Sequence, residues 1–292
     1  MTDFVKYQAL GNDYLVVDGQ RLGLPPSAAA AQVLCDRHFG IGADGVLFGP
    51  VGTVEAGLPV EVVTYNSDGS RCDRSVNGVR MFALQLAGDE PVGADLLIRT
   101  PAGDSPVRIS EDGLVTVELD PPSFEAAAIP VAGRSGSAVE LTLEVAGERL
   151  SLTCLHNGNP HAVLFTDELT AERAKELGPL IAGHPDFPQR VNVAFARVLD
   201  RATIDLLIFE RGAGYTLASG SSSCAAASAA RRLELVDERV TVRMPGGEVQ
   251  VGFDAQLRVS LTGLVEKVAS GEFADPLRRR LELPLLAERV FA

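Results

Sequence analysis

The stretch from Glu210 to Ala230 has the sequence ERGAGYTLASGSSSCAAASAA, which contains few functional groups. A charged pair, Glu210–Arg211, leads into a run made almost entirely of Gly, Ala and Ser. Small residues that open a helix leave several backbone N–H groups exposed, and such groups bind anions well. The alternative interpretation is a flexible linker of small residues, and this stretch alone does not separate the two.

The composition of the whole chain limits its class. Its 292 residues are 46% hydrophobic, which is enough for one large domain or two medium ones. The net charge of −13 argues against nucleic acid or an anionic membrane surface as the main partner. No apolar run approaches the roughly 18 residues of a membrane span, and the N-terminus lacks the pattern of a signal peptide. We therefore expect a soluble, cytoplasmic protein.

The residue types that hold metals and nucleotides occur without the spacing that those ligands need. The four histidines are scattered, and the four cysteines form neither a metal motif nor a secreted disulfide framework: Cys35, Cys72, Cys154 and Cys224. The segment GIGADG, residues 40–45, has the spacing of a dinucleotide-binding loop, but it follows a predicted helix and precedes a strand, the reverse of that motif. We expect no metal and no cofactor.

Most of the chain has the alternation of β-strands, as in VEVVTYN and VNVAFARVLD. Helices are predicted after Ser27 over AAAAQVLCDRH, after Thr170, from about Asn77 to Ala87 and from Ser222 to Leu235. A stretch rich in Pro and Gly, residues 120–137, is typical of a crossover between two halves.

The two halves carry matching features in the same order. Gly-Asn precedes a strand-like run at Gly11 and again at Gly158. Ser75 follows Gly11 by 75 − 11 = 64 residues, and Ser219 follows Gly158 by 219 − 158 = 61. This order indicates a duplicated α/β unit. Two similar lobes normally place a shared site in the cleft between them.

The predicted cleft collects amides that are more typical of turns when each is taken alone: Asn12, Asn66, Asn77, Asn159 and Asn192. Glu210, Arg211 and two helix openings, at Val76–Asn77 and Gly220–Ser221, complete the set. Helix N-termini and an arginine bind carboxylates, and amides orient amines. The set therefore predicts a small zwitterionic amino acid as the ligand.

Six motifs in this order resemble the diaminopimelate epimerase family: KYQALGNDYLVVD, GIGADG, YNSDGSRCDRSVNGVR, NGNPHAV, HPDFPQRVNVAF and ERGAGYTLASGSSSC. The resemblance implies an α+β fold of two pseudo-symmetric lobes, each a β-barrel-like sheet wrapped around a central helix. The N-terminal lobe would comprise residues 1–120 plus about 272–292, and the C-terminal lobe residues 121–271. The active site would lie in the cleft between them.

The resemblance also implies roles for individual residues. The side chains that would bind the substrate are Asn12, Asn66, Asn159, Asn192, Glu210 and Arg211. The backbone N–H groups that would hold the α-carboxylate are those of Val76, Asn77, Gly220 and Ser221. His161 and Glu210 would tune the acid/base pair. In the family that pair consists of two cysteines, one at the head of each helix, and no pyridoxal phosphate is used.

This chain departs from the family pattern at the acid/base pair. Ser75 and Ser219 stand at the positions of the two cysteines, Val76 replaces a glycine, and Tyr215 replaces a glutamate. A serine hydroxyl is a far weaker acid than a thiol and needs an adjacent base. His161 is the candidate base in one lobe, and the other lobe has no matching histidine. Loss of a competent base typically lowers a rate by roughly 10²–10⁴.

The sequence therefore predicts an isomerase of the diaminopimelate epimerase type, which converts LL-diaminopimelate to the meso form in lysine and cell-wall biosynthesis. Two alternatives remain open: a divergent relative that isomerises or dehydrates another substrate, and a non-catalytic amino-acid-binding protein. The resemblance also implies a homodimer, since many relatives dimerise through a tyrosine near the end of the second barrel. Ala269 stands at that position here, so the oligomeric state stays open.

Overall fold

The structure, a computed structural model, describes residues 2–55, 57–88 and 94–286. The chain divides into two units, one formed by residues 1–115 and 264–292 and the other by residues 116–263. The limits expected from the sequence, at residues 120 and about 271, lie a few residues further along the chain. Described residues from near both ends of the chain thus belong to the same unit.

Strands dominate both units. In chain order they are β1 Phe4–Ala9, β2 Asn12–Val17, β3 Gly45–Val51, β4 Val60–Asn66, β5 Arg71–Cys72, β6 Asp95–Thr100, β7 Gly103–Ile109, β8 Val115–Leu119, β9 Leu141–Val145, β10 Glu148–His156, β11 Pro160–Phe165, β12 Asn192–Asp200, β13 Thr203–Glu210, β14 Gly214–Thr216, β15 Arg239–Met244, β16 Gly247–Phe253, β17 Val259–Gly263 and β18 Glu266–Gly271. The helices are α1 Gly19–Leu22, α2 Ala28–Cys35, α3 Val76–Ala87, α4 Ala171–Ala182, α5 Gly220–Arg232 and α6 Asp275–Arg280.

In the first unit the strands form one mixed sheet. Strand β1 pairs antiparallel with β18 and with β2, and β2 continues parallel to β3. Strand β4 pairs antiparallel with β3 and β5 and parallel with β6, which forms an antiparallel pair with β7. The parallel pairs need crossover connections, and α2 and α3 occupy those connections.

The second unit repeats this order of pairings. Strand β10 pairs antiparallel with β9 and β11, and β11 is parallel to β12. Strand β13 pairs antiparallel with β12 and β14 and parallel with β15, and β16, β17 and β8 follow. Helices α4 and α5 take the places of α2 and α3. The duplicated unit inferred from the spacing of Gly-Asn and serine is therefore present as a repeated order of strands and helices.

Each sheet wraps around one central helix. Helix α3 packs on β1, β2, β3, β6 and β7, and helix α5 packs on β10 to β13 and β15 to β17. Every residue from Gly220 to Ala230 is buried. Small side chains let the strands approach α5 closely, which fits the Gly/Ala/Ser run. The predicted α+β fold, with a sheet around a central helix in each lobe, is confirmed, whereas the flexible linker is wrong.

Two helix limits differ from the sequence prediction. Helix α2 starts after the Ser27 cap as expected but ends at Cys35, because the Asp36 carboxylate accepts the N–H groups of His38 and Phe39, each at 2.8 Å. Helix α5 covers 220–232 rather than 222–235. It ends where Glu234 adopts a left-handed conformation with φ of 59°, which is typical of a helix C-terminus.

Candidate active site

Ser75 is the N-cap residue of α3 in the first unit. Its Oγ accepts a hydrogen bond from the N–H of Gly78 at 3.0 Å, which satisfies one of the amides that a helix start leaves open. Within the described residues, the N–H groups of Val76 and Asn77 have no acceptor. The helix start therefore offers two backbone donors next to the serine hydroxyl, at the positive end of the helix dipole.

Asn12 and Asn77, two of the predicted substrate-binding residues, are in direct contact in this unit. The amide nitrogen of Asn77 donates to Oδ1 of Asn12 at 3.1 Å, and the amide nitrogen of Asn12 donates to Oδ2 of Asp44 at 2.9 Å. At the other end, the guanidinium of the fully buried Arg80 donates to Oδ1 of Asn77 at 2.8 Å. Both amides are thus held by charged residues that the sequence interpretation did not select.

Asn66, another predicted substrate-binding residue of this unit, is the last residue of β4 and belongs to a tight turn. Its amide nitrogen donates to Oγ of Ser70 at 2.9 Å, and its backbone N–H donates to the Ser70 carbonyl at the same distance. These bonds fit the turn role that asparagine often has. They use one amide hydrogen and leave the carbonyl oxygen of the side chain for other donors.

Ser219 is the N-cap residue of α5 in the second unit, in the same place as Ser75 in the first. Its Oγ accepts a hydrogen bond from the N–H of Ser222 at 3.4 Å and lies 3.4 Å from Oγ of Ser221. In the described part of the chain, the N–H groups of Gly220 and Ser221 have no acceptor. Both helices thus begin with a capping serine followed by two open backbone donors.

Asn157 fixes the first turn of α5 and was missed by the sequence interpretation. Its side-chain nitrogen donates to the Ser221 carbonyl at 2.9 Å in a buried position. Its backbone N–H donates to the carbonyl of Asn159, the residue that was selected. The signal was present, because the motif NGNPHAV contains both asparagines, but only the second of them matched the Gly-Asn repeat.

His161 lies on β11 and has no contact with water. Burial lowers the pKa of its imidazole to about 3, and the charges of His156 and Arg211 act in the same direction. Neither ring nitrogen has a hydrogen-bond partner among the described residues. The side chain is therefore neutral near pH 7. The expected activation of a serine by this histidine has no hydrogen bond to support it.

Arg211, the predicted carboxylate-binding arginine, directly follows Glu210, the last residue of β13. The backbone N–H of Arg211 donates to Oδ1 of Asn192 at 3.0 Å, so these two predicted residues are in direct contact. The guanidinium is partly exposed and donates to the Gln189 carbonyl at 3.4 Å. One bond of this length leaves most of its five N–H donors for a ligand.

Tyr215, at a position where the resemblance implies a glutamate, packs against the apolar core of the second unit. The ammonium of Lys175 on α4 lies 4.9 Å from the centre of its ring, within the range of a cation–π contact. The ring therefore pairs with a cation as a carboxylate would, but without adding a negative charge.

The thiols of this chain are poor candidates for the acid/base pair. Cys35, Cys154 and Cys224 are buried, and burial raises the pKa of Cys35 and of Cys154 to about 12. Such thiols carry almost no thiolate near pH 7. Cys72, which is half-buried, lies on β5 opposite Thr64 rather than at a helix start. Ser75 and Ser219, in contrast, both stand at helix starts.

The described residues contain neither a metal-binding cluster nor a membrane-spanning helix. Among residues 2–55, 57–88 and 94–286, no group of three or more His, Cys, Asp or Glu side chains is arranged to hold a metal ion. In the same residues, no helix is both long enough and apolar enough to span a membrane.

Comparison with known proteins gives consistent relatives. The sequence model of the family described as diaminopimelate epimerase matches residues 4–125 and 153–268. Diaminopimelate epimerase 2 of Nostoc sp. (strain PCC 7120) is 39% identical over 280 residues, which cover 94% of this chain and 96% of the relative. The diaminopimelate epimerase of Synechocystis sp. (strain PCC 6803) is 40% identical over 274 residues, which cover 92% and 98%.

The fold also has relatives among solved structures. A hydroxyproline epimerase from Agrobacterium vitis, solved with bound trans-4-hydroxy-L-proline, superposes with a TM-score of 0.70. The alignment covers 92% of this chain and 90% of that structure, at 15% sequence identity. At that identity the likeness establishes a shared fold.

Proposed function

Because the chain belongs to the diaminopimelate epimerase family, we propose that it is an isomerase that inverts the α-carbon of LL-diaminopimelate to the meso form. The observation that carries the proposal is the pair of helix starts, each with a capping serine and two open backbone N–H donors. The open N–H donors of such a start suit a carboxylate. Inversion needs one proton-transfer group on each face of the α-carbon.

The reaction that we propose has two proton transfers at one carbon. A base on one face removes the α-proton and leaves a carbanion, whose charge spreads into the α-carboxylate. An acid on the opposite face then donates a proton to the same carbon, so the bond pattern is restored with inverted configuration. The open N–H groups of Val76, Asn77, Gly220 and Ser221 would stabilise the developing charge on the carboxylate, in the manner of an oxyanion hole.

We propose Ser75 and Ser219 as the residues at the two acid/base positions, where the family has cysteines. The N–H that each hydroxyl accepts, from Gly78 and from Ser222, would favour an ionised oxygen. A serine hydroxyl still loses its proton far less readily than a thiol. The proposal therefore includes slow turnover in this chain, and a large gain when thiols are restored.

We propose Asn12, Asn66, Asn159, Asn192, Glu210 and Arg211 as substrate-binding residues. Arg211 suits the second carboxylate of diaminopimelate, because a planar guanidinium binds a carboxylate through two parallel hydrogen bonds. We assign His161 the role of an uncharged neighbour, since its low pKa keeps it from adding positive charge.

The experiment replaces Ser75 and Ser219 by cysteine, singly and together, with and without Val76→Gly. Deuterium incorporation into diaminopimelate in D₂O, followed by mass spectrometry, reports exchange of the α-proton. We expect the double cysteine variant to exchange faster than wild type by about 10²-fold or more, and each single variant to gain much less, because the two groups act as a unit. Val76→Gly should help further if the buried valine crowds the carboxylate.

A second candidate function is binding of an amino acid without catalysis. It is favoured by the serine hydroxyls, which act as helix caps, and by His161, which has no hydrogen bond to either serine. Calorimetry with diaminopimelate separates the two. Binding without exchange in wild type and in every cysteine variant would support the binder. No binding at all would point to a divergent relative that acts on another substrate.

A further inference from the structure

A continuous chain of side-chain hydrogen bonds crosses the first unit and includes both of its contacting asparagines. It runs from Arg80 through Asn77 and Asn12 to Asp44, at 2.8, 3.1 and 2.9 Å. We propose that Asp44 and Arg80 are positioning residues, which hold the two amides so that the second N–H of each is available to the substrate carboxylate. The identity of that substrate rests on the proposed function.

The two ends of the chain determine which way each amide points. A guanidinium has only donors, so the Asn77 side chain must turn its oxygen to Arg80. A carboxylate has only acceptors, so the Asn12 side chain must turn its nitrogen to Asp44. Both requirements agree at the central bond, where the Asn77 nitrogen meets the Asn12 oxygen. The charged ends thus remove the freedom to flip that a pair of amides otherwise has.

Each amide nitrogen carries two hydrogens and uses one of them in this chain. The second hydrogen of Asn12 and of Asn77 has no acceptor among the described residues. Asn77 is also the second residue of α3, where its backbone N–H is open as well. Correctly oriented amides would therefore add side-chain donors to the backbone donors of the helix start.

Asp44 is itself held in place by several bonds. Its Oδ1 accepts from Arg37 at 2.8 Å, and its Oδ2 also accepts the backbone N–H of Asp13 at 3.2 Å. The Asp13 carboxylate binds the same arginine at 2.9 Å and the ammonium of Lys6 at 2.8 Å. Burial would raise the pKa of Asp13, but these two cations outweigh it and hold the pKa below its ordinary value. Two carboxylates and two cations thus form a charge-neutral cluster that holds the Asp44 side chain in place.

The chain needs one carboxylate, and the reason is a simple count. Arg80 at one end and Arg37 at the other can only donate. If positions 77, 12 and 44 all carried amides, each with one oxygen side and one nitrogen side, two nitrogens would have to face each other at some junction. A single carboxylate at any of the three positions removes that conflict, because both of its oxygens accept. This carboxylate belongs to Asp44 in the segment GIGADG, the segment that has the spacing of a nucleotide-binding loop.

Variants based on this count separate the contribution of Asp44 to stability from its role in positioning the amides. Asp44→Asn creates the conflict of two nitrogens, and Asn12→Asp places two carboxylates side by side. The double variant Asn12→Asp/Asp44→Asn again has one carboxylate and satisfies every junction, although the Asp13 N–H loses its weak acceptor. Residue 12 then has no N–H to donate. The double variant therefore restores the fold but not the donor.

The experiment measures thermal unfolding and, by calorimetry well below the unfolding temperature, the affinity for diaminopimelate. We expect both single variants to unfold at lower temperature than wild type, and the double variant to recover most of that loss. Affinity should fall by about tenfold or more in Asp44→Asn and should stay low in the double variant. If a single variant does not fold, the double variant carries the test. Asp104→Asn, which breaks the surface pair with Arg99, is the control and should leave affinity unchanged.

Wild-type affinity in the double variant would overturn the positioning role and leave the proposed function intact. Wild-type affinity in Asp44→Asn would do the same. Absence of binding by the wild-type protein would instead refute the proposed function, and the inference would fall with it. A double variant that unfolds no later than the single variants would refute the count of donors and acceptors on which the inference depends.

Discussion

At the scale of single residues, burial decides the chemistry of His161 more than its sequence neighbours do. An imidazole without water or a hydrogen-bond partner has little to stabilise its charged form, so the neutral form dominates in the folded protein. In the unfolded chain the same imidazole takes up a proton at an ordinary pKa of about 6.5. The buried His161 therefore lowers the stability of the folded state at low pH.

The sign of this effect follows from the lowered pKa. Between pH 6.5 and about 3 the unfolded state binds one more proton than the folded state, so stability is present above pH 6.5 and is lost as the pH falls. We expect His161→Gln to remove this loss. Between pH 7 and pH 5, the free energy of unfolding should fall by about 2 kcal/mol less in the variant than in wild type, measured by urea denaturation.

Exposed His38 provides the matched control for this prediction. His38→Gln should keep the pH dependence of wild type. Equal pH dependence in wild type and His161→Gln would show that the imidazole is not held neutral in the folded protein.

At the scale of elements, one close approach fixes how α4 lies on β13. A methyl group at Gly178 would lie 2.5 Å from Cγ of Phe209, much closer than real contacts allow. Glycine is thus required in the middle of a helix, although it is a weaker helix former than alanine. The tertiary contact outweighs the local preference, because Phe209 packs against the core of the second unit.

Gly178→Ala should therefore destabilise the protein by about 1–3 kcal/mol despite the better helix propensity of alanine. The free energy of unfolding from urea denaturation is the measurement. Gly183→Ala, at the exposed end of the same helix, is the control. Its φ of −103° suits any residue, and the nearest atom to an added methyl group is the Pro179 carbonyl oxygen at 3.3 Å. A gain in stability for Gly178→Ala would contradict the packing described above.

At the scale of the whole molecule, a buried ion pair joins the two ends of the chain within the first unit. Arg278 on α6 donates to Asp3 at 2.6 Å, and both side chains are inaccessible to water. Asp3 also accepts the backbone N–H of Phe273 at 3.0 Å. Because the charges are removed from water, removal of one partner leaves an uncompensated buried charge, which is strongly unfavourable.

We expect Asp3→Ala to lower the free energy of unfolding by about 3–5 kcal/mol. The double variant Asp3→Ala/Arg278→Met should lose less than Asp3→Ala, because no unpaired charge remains. The exposed pair Arg201–Asp237, at 2.6 Å, is the comparison, and Asp237→Ala should cost at most about 1 kcal/mol. Equal losses of unfolding free energy in Asp3→Ala and Asp237→Ala would mean that the buried ion pair contributes no more to stability than the exposed one.

Features that depend on nearby residues follow from the sequence alone. Ser27, Thr170, Ser75 and Ser219 act as helix caps, since a cap needs only a side-chain oxygen and an amide three residues later. The repeat also follows from the sequence, because the spacing between Gly-Asn and serine stays nearly constant when a unit is duplicated. The family motifs then predicted the fold, which was confirmed. The roles proposed for individual side chains stay predictions.

Contacts between polar groups that lie far apart in the sequence depend on the tertiary structure. Asn77 contacts Asn12 across 65 positions and Arg278 contacts Asp3 across 275, and such pairs depend on strand register, which composition and spacing do not encode. The partners of the selected asparagines, Asp44, Arg80 and Asn157, were missed for this reason. So was the neutral state of His161, because desolvation depends on every element packed around a residue.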